Sequence, residues 1–273
     1  KKIDYVLFDP NNEVMKSVLF EKSFDMLQSQ AMKATNMLDR YDALEAMRDI
    51  DVKKKRDFLI QQFDKEKWGA VKNEIVNQLL RDKNPKSYDL IRKAIAGKDA
   101  LVQKNIIQST TAVPGELLPD YEKLLHGASY EIIALSLEKL CHGNPSKAQQ
   151  YLDATRNIEG TVGRNVKIKW LEIASAYERK YIEQLTSYAS ISYEFKTRVN
   201  AFAALKKLNY LDMEVVKSIL SSVLSPNGRL ARPAGEALQY FYEQEKFKKI
   251  IDDEVNSKTW EGWQKERIAN YLK

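Results

Sequence analysis

Apolar side chains recur at spacings of three and four residues along almost the whole chain from Ser23 onward. One such stripe runs through Leu38, Tyr41, Leu44 and Met47. This spacing places apolar side chains on one face of an α-helix. The 273 residues include only 10 glycines and 7 prolines, roughly half the usual share, so few residues end helices or form hairpin turns. The pattern predicts an all-α fold of about a dozen helices.

Helix boundaries follow from the caps and breakers in the sequence. Ser23 is a predicted N-cap, and Asn84 with Pro85 is predicted to end a helix. We expect Trp260 and Trp263 to anchor the last helix. From residue 116 onward the predicted helices cover residues 116–126, 130–142, 146–157, 165–178, 192–208, 213–224, 230–253 and 260–272.

The first 22 residues follow a different pattern. Residues 5–8 are a short β-prone run, residues 9–12 have turn chemistry, and residues 14–20 resume a β-compatible pattern. We therefore predict a β-hairpin over residues 1–22 and a helical domain over residues 23–273. A lone hairpin is marginally stable, so either the helices cover it or it belongs to a preceding β domain. The absence of an initiator Met favours a fragment or a processed product.

Composition and charge argue against nucleic-acid binding and against a membrane span. The chain has 44 Lys and Arg against 38 Asp and Glu, a net charge of +6, which describes a mixed surface rather than a basic one. The densest basic cluster, residues 53–56, is flanked by Asp49, Asp51 and Asp57, whereas nucleic-acid-binding surfaces concentrate basic residues on one face. No run of about 18 apolar residues occurs. We expect a soluble protein, either cytoplasmic or periplasmic.

Two segments of the helical region align as an internal repeat. Residues 39–47 (DRYDALEAM) match residues 197–205 (TRVNAFAAL), and residues 71–79 fit the same frame more loosely. The aligned pairs are Arg40 with Arg198, Ala43 with Ala201, Ala46 with Ala204, and Met47 with Leu205. Small residues on one side of a helix let neighbouring helices approach closely, which is typical of HEAT- or armadillo-like α-α superhelices. Chance agreement between ordinary amphipathic helices is the alternative.

The residues with catalytic potential predict no active site, metal site or cofactor site in this chain. Neither His126 nor His142 belongs to an H-E-x-x-H motif, and each precedes a glycine, which is typical of a helix C-terminus. Cys141 is the only cysteine, so the chain can form neither an internal disulfide nor a cysteine-rich metal site. The glycines Gly160 and Gly163 lack the spacing of a phosphate-binding loop.

Tyrosine is frequent, with 14 residues in the chain. Four of them, Tyr177, Tyr181, Tyr188 and Tyr193, follow one another closely. A tyrosine has an apolar body and a polar tip, which suits both a helical core and the rim of a groove. We favour the core interpretation for this group.

The junction between the β-prone segment and the first helix resembles a known family. Residues 5–16 (YVLFDPNNEVMK) and 20–22 (FEK) look like a junction in zinc aminopeptidases related to aminopeptidase N. Residues 39–46 resemble an early helix of the C-terminal domain of that family, and residues 68–72 (WGAVK) resemble a later helix start. The match covers about residues 4–80, and the remainder agrees only in helical character.

The resemblance implies a non-catalytic, HEAT-like C-terminal domain, with a catalytic domain that holds the zinc ion earlier in the same polypeptide. No catalytic or zinc-binding residue can be carried onto this chain. In the family this domain packs on the catalytic domain and encloses a cavity for the peptide substrate, where basic residues can receive the peptide carboxylate. Candidates for that role are Arg164, Arg198, Arg229 and Arg232. The implied partners are the catalytic domain and a peptide.

Two alternatives to an active aminopeptidase remain. One is an inactive relative of the family that serves as an assembly scaffold. The other is a stand-alone helical-repeat scaffold that binds a protein or peptide in a groove. A stand-alone scaffold needs no further domain, so its own helices should cover the N-terminal segment.

Overall fold

A computed structural model describes residues 3–10, 13–17 and 20–273. These residues form sixteen α-helices, which confirms the predicted all-α class, and they divide into two compact units, residues 1–124 and 125–273. The first unit contains α1 (Phe24–Lys33), α2 (Met37–Glu45), α3 (Val52–Lys65), α4 (Gly69–Leu79), α5 (Pro85–Ala96), α6 (Ala100–Ser109) and α7 (Leu118–Lys123). The second contains α8 (Tyr130–Gly143), α9 (Ala148–Thr155), α10 (Asn165–Ser175), α11 (Lys180–Ser187), α12 (Phe195–Lys207), α13 (Met213–Val223), α14 (Gly228–Tyr242), α15 (Glu245–Asn256) and α16 (Gly262–Ala269). None of these described helices is long and apolar enough to cross a membrane.

The predicted β-hairpin over residues 1–22 is not confirmed, because the described part of that segment contains no strand. The chain instead turns around the carboxylate of Asp9, whose φ is 53°. The N–H groups of Glu13 and Val14 donate to that carboxylate at 3.1 and 2.9 Å, and Lys16 Nζ lies 2.6 Å from it. Backbone donors that a strand would offer to its neighbour are thus used locally. The predicted positions Asn11, Asn12, Val18 and Leu19 lie outside the described residues.

Helices of the first unit pack in two rows. In one row α2, α4 and α6 contact one another in order, and in the other row α1, α3, α5 and α7 do the same. Each of α1, α3 and α5 also packs against the next even-numbered helix. The almost completely buried side chains of this unit include Leu44, Leu59, Ile75, Ile91 and Ile106, one from each of α2 to α6. Burial of each such side chain contributes about 1.5–3 kcal/mol.

Three arginine–carboxylate pairs connect these helices, and we call them the arginine ladder. The pairs are Arg40 with Glu66, Arg48 with Glu74 and Arg56 with Asp82, and each acid lies 26 residues after its arginine. In every pair Nε and Nη2 donate to the two carboxylate oxygens at 2.5–3.1 Å. Such forked pairs are directional as well as strong. The ladder therefore fixes how one helix pair sits on the next.

The second unit is built on α8, α10, α12 and α14, which pack in that order. A cluster of four charges joins the first three of these helices. Glu138 of α8 and Glu172 of α10 lie 2.8–3.3 Å from the ammonium groups of Lys169 (α10) and Lys207 (α12). Burial disfavours the charge of Glu138, but the two lysines outweigh it and lower the pKa of its carboxyl group.

The second unit corrects the predicted helices at three places. Residues 230–253 form two helices instead of one, because the chain turns at Gln244, whose backbone is extended. The helix α11 lies where the sequence predicts none. Trp263 is 51% exposed and does not anchor α16; instead Ile268 is buried and the Tyr271 ring lies against Gly235 of α14.

The aligned residues of the two repeat segments agree only partly in their burial and contacts. Ala43 and Ala201 are buried, as are the aligned Met47 and Leu205. The next pair differs, since Ala46 is exposed and Ala204 is buried. Arg40 and Arg198 also differ: Arg40 is in the arginine ladder, whereas Arg198 donates to neutral oxygens.

Candidate functional site

A concave surface of the second unit is built on the loop between α9 and α10. Gly160 and Gly163 have φ values of 96° and 83°, and Arg164 follows at 46°. A left-handed backbone favours glycine. Position 163 also has no room for a larger residue, because a Cβ on Gly163 would lie 2.5 Å from Asn200 Nδ2. Asn200 Nδ2 donates to the Gly163 carbonyl at 2.8 Å. Helix α12 thus holds the loop in place.

Arg164 lies beside two tyrosines at the start of α10. Its guanidinium carbon is 5.2 Å from the ring centroid of Tyr193 and 5.8 Å from that of Tyr188, and the two rings pack edge to face at 4.8 Å. Cation–π contacts of this kind contribute about 0.5–1 kcal/mol at exposed sites. Arg164 Nη1 lies 3.4 Å from Thr197 Oγ1, and Nε lies 3.4 Å from a Glu159 oxygen. At these distances the guanidinium N–H groups of Arg164 form only weak hydrogen bonds.

These groups border a pocket of about 620 Å³, which we call the Arg164 pocket. Glu159 and Glu194 bring negative charge to its wall, and Val162 brings an apolar side chain that is 71% exposed. Burial opposes the charge of Glu194, but hydrogen bonds from Thr197 and from backbone N–H groups outweigh it and lower the pKa of that carboxyl. Burial raises the pKa of Tyr188, so its phenol remains a neutral hydrogen-bond donor near pH 7.

A second hollow of about 430 Å³ adjoins the Arg164 pocket, because both are lined by Glu159 and Gly160. Its other walls include His126, Tyr130 and Asn157. The two hollows together present aromatic, amide and charged groups along one continuous surface. Such a surface suits an extended polar ligand with some apolar side chains.

The four candidate arginines have different environments in the structure. Arg164 lines the pocket described above. Arg198 is 6% exposed, and it donates to backbone and serine oxygens; burial lowers the pKa of Arg198. Arg229 is exposed at the start of α14, and the exposed Arg232 pairs with a glutamate one turn along the same helix. Among these four, Arg164 alone combines a pocket with aromatic walls.

The two histidines and the cysteine occupy different environments. Cys141 is 2% exposed and burial raises the pKa of its thiol to about 12, whereas His142 is exposed in the last turn of α8. The predicted divergence of these two neighbours is confirmed. His126 borders the second hollow. Across residues 3–10, 13–17 and 20–273, no group of three or more His, Cys, Asp or Glu side chains is arranged to hold a metal ion.

The sequence does not identify some residues of the Arg164 pocket as site residues. The core role favoured for the four tyrosines holds for Tyr188, which is 7% exposed, but not for Tyr177, which is 54% exposed. Tyr181 and Tyr193 are half-buried, and Tyr188 and Tyr193 line the pocket. Glu159 and Glu194 carry no sequence signal, because glutamates are common on helical surfaces.

No protein-family model matches the chain, and no curated protein matches it either. The fold and the pocket define an all-α protein of packed helix pairs with a polar, aromatic hollow.

Proposed function

We propose that this chain is the non-catalytic helical-repeat domain of a zinc metallo-aminopeptidase, and that it binds peptide at the Arg164 pocket. The pocket itself is the observation that carries peptide binding. The aminopeptidase context rests on the resemblance of about residues 4–80. In this proposal the zinc ion and the hydrolytic chemistry belong to a catalytic domain of the same polypeptide, on which this chain packs to shape the substrate cavity.

The proposal includes a HEAT-like superhelix. It is supported by the two rows of helices in the first unit, in which each helix packs on an adjacent helix in sequence and on the second helix along the chain. That arrangement is typical of helical repeats, whose stability comes from contacts between adjacent repeats. The arginine ladder adds a contact that recurs from one helix pair to the next.

Arg164 is proposed to receive the C-terminal carboxylate of a peptide. A guanidinium fork matches the two oxygens of a carboxylate, and charged pairs of good geometry have N···O distances of about 2.7–2.9 Å. The contact of Arg164 with Glu159 is longer, at 3.4 Å, so a ligand carboxylate can compete for the same donors. Glu159 and Glu194 repel further negative charge, which favours a peptide with one carboxylate over a polyanion.

The N-terminal segment favours this proposal over a stand-alone scaffold. Phe8 is 69% exposed, Met15 is fully exposed and Phe20 is 52% exposed. Exposed apolar groups in one segment are typical of a surface that another domain covers. A stand-alone scaffold predicts that the chain's own helices cover these side chains. The scaffold remains the second candidate function.

Two observations test the proposal. The gene sequence upstream of the Lys1 codon should encode H-E-x-x-H with a glutamate ligand further on, whereas a start codon directly before Lys1 supports the scaffold. The purified chain, supplied with zinc, should not hydrolyse aminoacyl chromogenic substrates. Hydrolysis that a chelator abolishes would contradict a non-catalytic role.

A further inference from the structure

Glu159 lines both the Arg164 pocket and the second hollow, so it lies where one passes into the other. Its side chain is 57% exposed and is therefore accessible to a ligand. Its charge acts inside the pocket, because it adds to the rise that burial causes in the pKa of Tyr188. A ligand that extends from the pocket into the second hollow must pass this carboxylate.

The carboxylate of Glu159 has room for a further partner. Within the described residues its one ion pair is the contact with Arg164 Nε at 3.4 Å, which is longer than a strong charge-assisted hydrogen bond. The Glu194 carboxylate, by contrast, accepts from the N–H groups of Lys196 and Thr197 at 2.5 and 2.9 Å and from Thr197 Oγ1 at 2.5 Å. Of the two acids of the pocket, Glu159 is thus the one that a ligand can engage.

The chain provides little other positive charge at these two hollows. Among the described residues that line them, Arg164 is the only lysine or arginine and His126 the only histidine. The ammonium group of Lys167, in the first turn of α10, is engaged elsewhere: it donates to the Arg156 carbonyl at 3.2 Å and lies 4.9 Å from the Trp170 ring centroid.

A peptide carboxylate bound at Arg164 would change the balance of charge around Glu159. It would occupy N–H donors of the cation that Glu159 contacts, and it would add a third negative charge beside Glu159 and Glu194. Like charges held close together repel one another. A cation carried by the ligand itself would relieve that repulsion.

We propose that Glu159 selects peptides whose penultimate residue is lysine or arginine, with the cationic group of that residue at the Glu159 carboxylate. This inference rests on the proposed function, which seats the terminal carboxylate at Arg164. Consecutive Cα atoms of a peptide are about 3.8 Å apart, and Glu159 contacts Arg164 directly, so the residue before the terminal one can reach Glu159.

The second hollow suits the long stem of such a side chain. Its wall includes the Tyr130 side chain, which is 40% exposed, and the half-buried Ile158. Lysine and arginine place their methylene groups along apolar surface while the charged end stays in water. An aromatic ring such as that of Tyr130 also attracts a cation.

Two hexapeptides of identical composition test the preference. Both are free acids with an acetylated N-terminus and one lysine as the only charged side chain, placed at the penultimate position in one and at the second position in the other. Calorimetric titration of the whole chain at pH 7 should show about three- to fivefold tighter binding of the penultimate-lysine peptide, since an exposed ion pair contributes a factor of that size. Equal affinities for the two isomers would overturn the proposal.

Variants assign the preference to Glu159. Glu159→Gln keeps the size of the side chain and removes its charge, so it should bind the two isomers equally. Glu236→Gln is the matched control and should retain the preference, because Glu236 is also an exposed glutamate paired with an arginine and lies outside both hollows. A preference for the penultimate lysine that persists in Glu159→Gln would contradict the assignment.

Titration of the penultimate-lysine peptide as its C-terminal amide distinguishes failure of this inference from failure of the proposed function. Tighter binding of the acid than of the amide, together with equal binding of the two isomers, would refute selection by Glu159 and leave the proposed function intact. Equal binding of acid and amide, or no binding of either, would contradict the proposed function and this inference with it.

Discussion

Arg48 and Glu74 share two parallel hydrogen bonds, from Nε to Oε1 at 2.9 Å and from Nη2 to Oε2 at 2.6 Å. The Glu74 side chain is 2% exposed, whereas that of Arg48 is 51% exposed. A buried acid is thus neutralised by a cation that reaches it from the surface. Glu66 is equally buried, and its partner Arg40 is mostly buried as well, so the arginine ladder supplies the charge compensation for both acids.

Removal of the Arg48 guanidinium should destabilise the first unit. Arg48→Ala leaves Glu74 buried without its cation, and we expect the free energy of unfolding to fall by about 1–3 kcal/mol, less than for a fully buried pair because Arg48 is half exposed. Urea unfolding followed by circular dichroism measures the change. Lys86→Ala, in the exposed pair with Asp57, is the control and should change stability by no more than about 0.5 kcal/mol. Equal effects of the two substitutions would contradict a special role for the ladder.

The ladder also predicts a dependence of stability on pH. Burial opposes the charges of Glu66 and Glu74, but their arginine partners outweigh it, and the pKa values of both lie below the ordinary 4.5. Arg56 likewise lowers the pKa of Asp82. An acid with a lowered folded-state pKa contributes stability above its unfolded-state pKa and loses it as the pH falls through the folded-state pKa.

We therefore expect the unfolding free energy to decline from about pH 5 downward, and to decline less in Arg48→Ala. Urea titrations at a series of pH values between 7 and 3 measure both curves. Parallel curves for the two proteins would show that Glu74 does not carry the effect.

The thiol of Cys141 should be unreactive in the folded chain. Burial raises its pKa to about 12, so almost no thiolate exists at pH 8, and the side chain is inaccessible as well. We expect labelling by an aromatic disulfide reagent only at the rate of unfolding, with labelling accelerated by urea in step with the loss of helix signal. Rapid labelling without urea would contradict the burial of Cys141.

The contact between Gly235 and Tyr271 should hold the C-terminal segment. A Cβ on Gly235 would lie 2.1 Å from the Tyr271 ring, so Gly235→Ala must displace the ring and should cost about 1–3 kcal/mol. The rate of carboxypeptidase digestion measures how far the C-terminal segment is released, and thermal unfolding measures the loss of stability. Gly228→Ala lies in the same helix with no atom within 4 Å of the added Cβ, and it should leave digestion unchanged.

Local signals account for the parts of the fold that the sequence predicts well. Ser23 caps α1, as predicted, by accepting a hydrogen bond from Met26 N. Asn84 and Pro85, predicted to end a helix, instead begin α5, because α4 already ends at Leu79. The break at Gln244 has no glycine or proline. It coincides with the edge-to-face packing of Phe241 on Phe247, at 5.3 Å between ring centroids, and tertiary packing of that kind overrides the continuous helical period.

The candidate site is predictable only in outline. Arg164 is one of four arginines that the resemblance suggests, and no local property distinguishes it from Arg232. The distinction comes from Tyr188 and Tyr193, which α11 and its following loop bring to the start of α10. Contacts between residues so far apart in sequence depend on how the helices pack, which a single sequence does not encode in a local pattern.

The central claim is that Arg164 binds the carboxylate of a peptide. Calorimetric titration of the chain with one hexapeptide, as the free acid and as the C-terminal amide, tests it most directly. We predict about tenfold tighter binding of the acid by the unaltered chain and by Arg232→Gln, and equal binding of both forms by Arg164→Gln. Equal affinity of the unaltered chain for the acid and the amide, or a preference that persists in Arg164→Gln, would contradict the account.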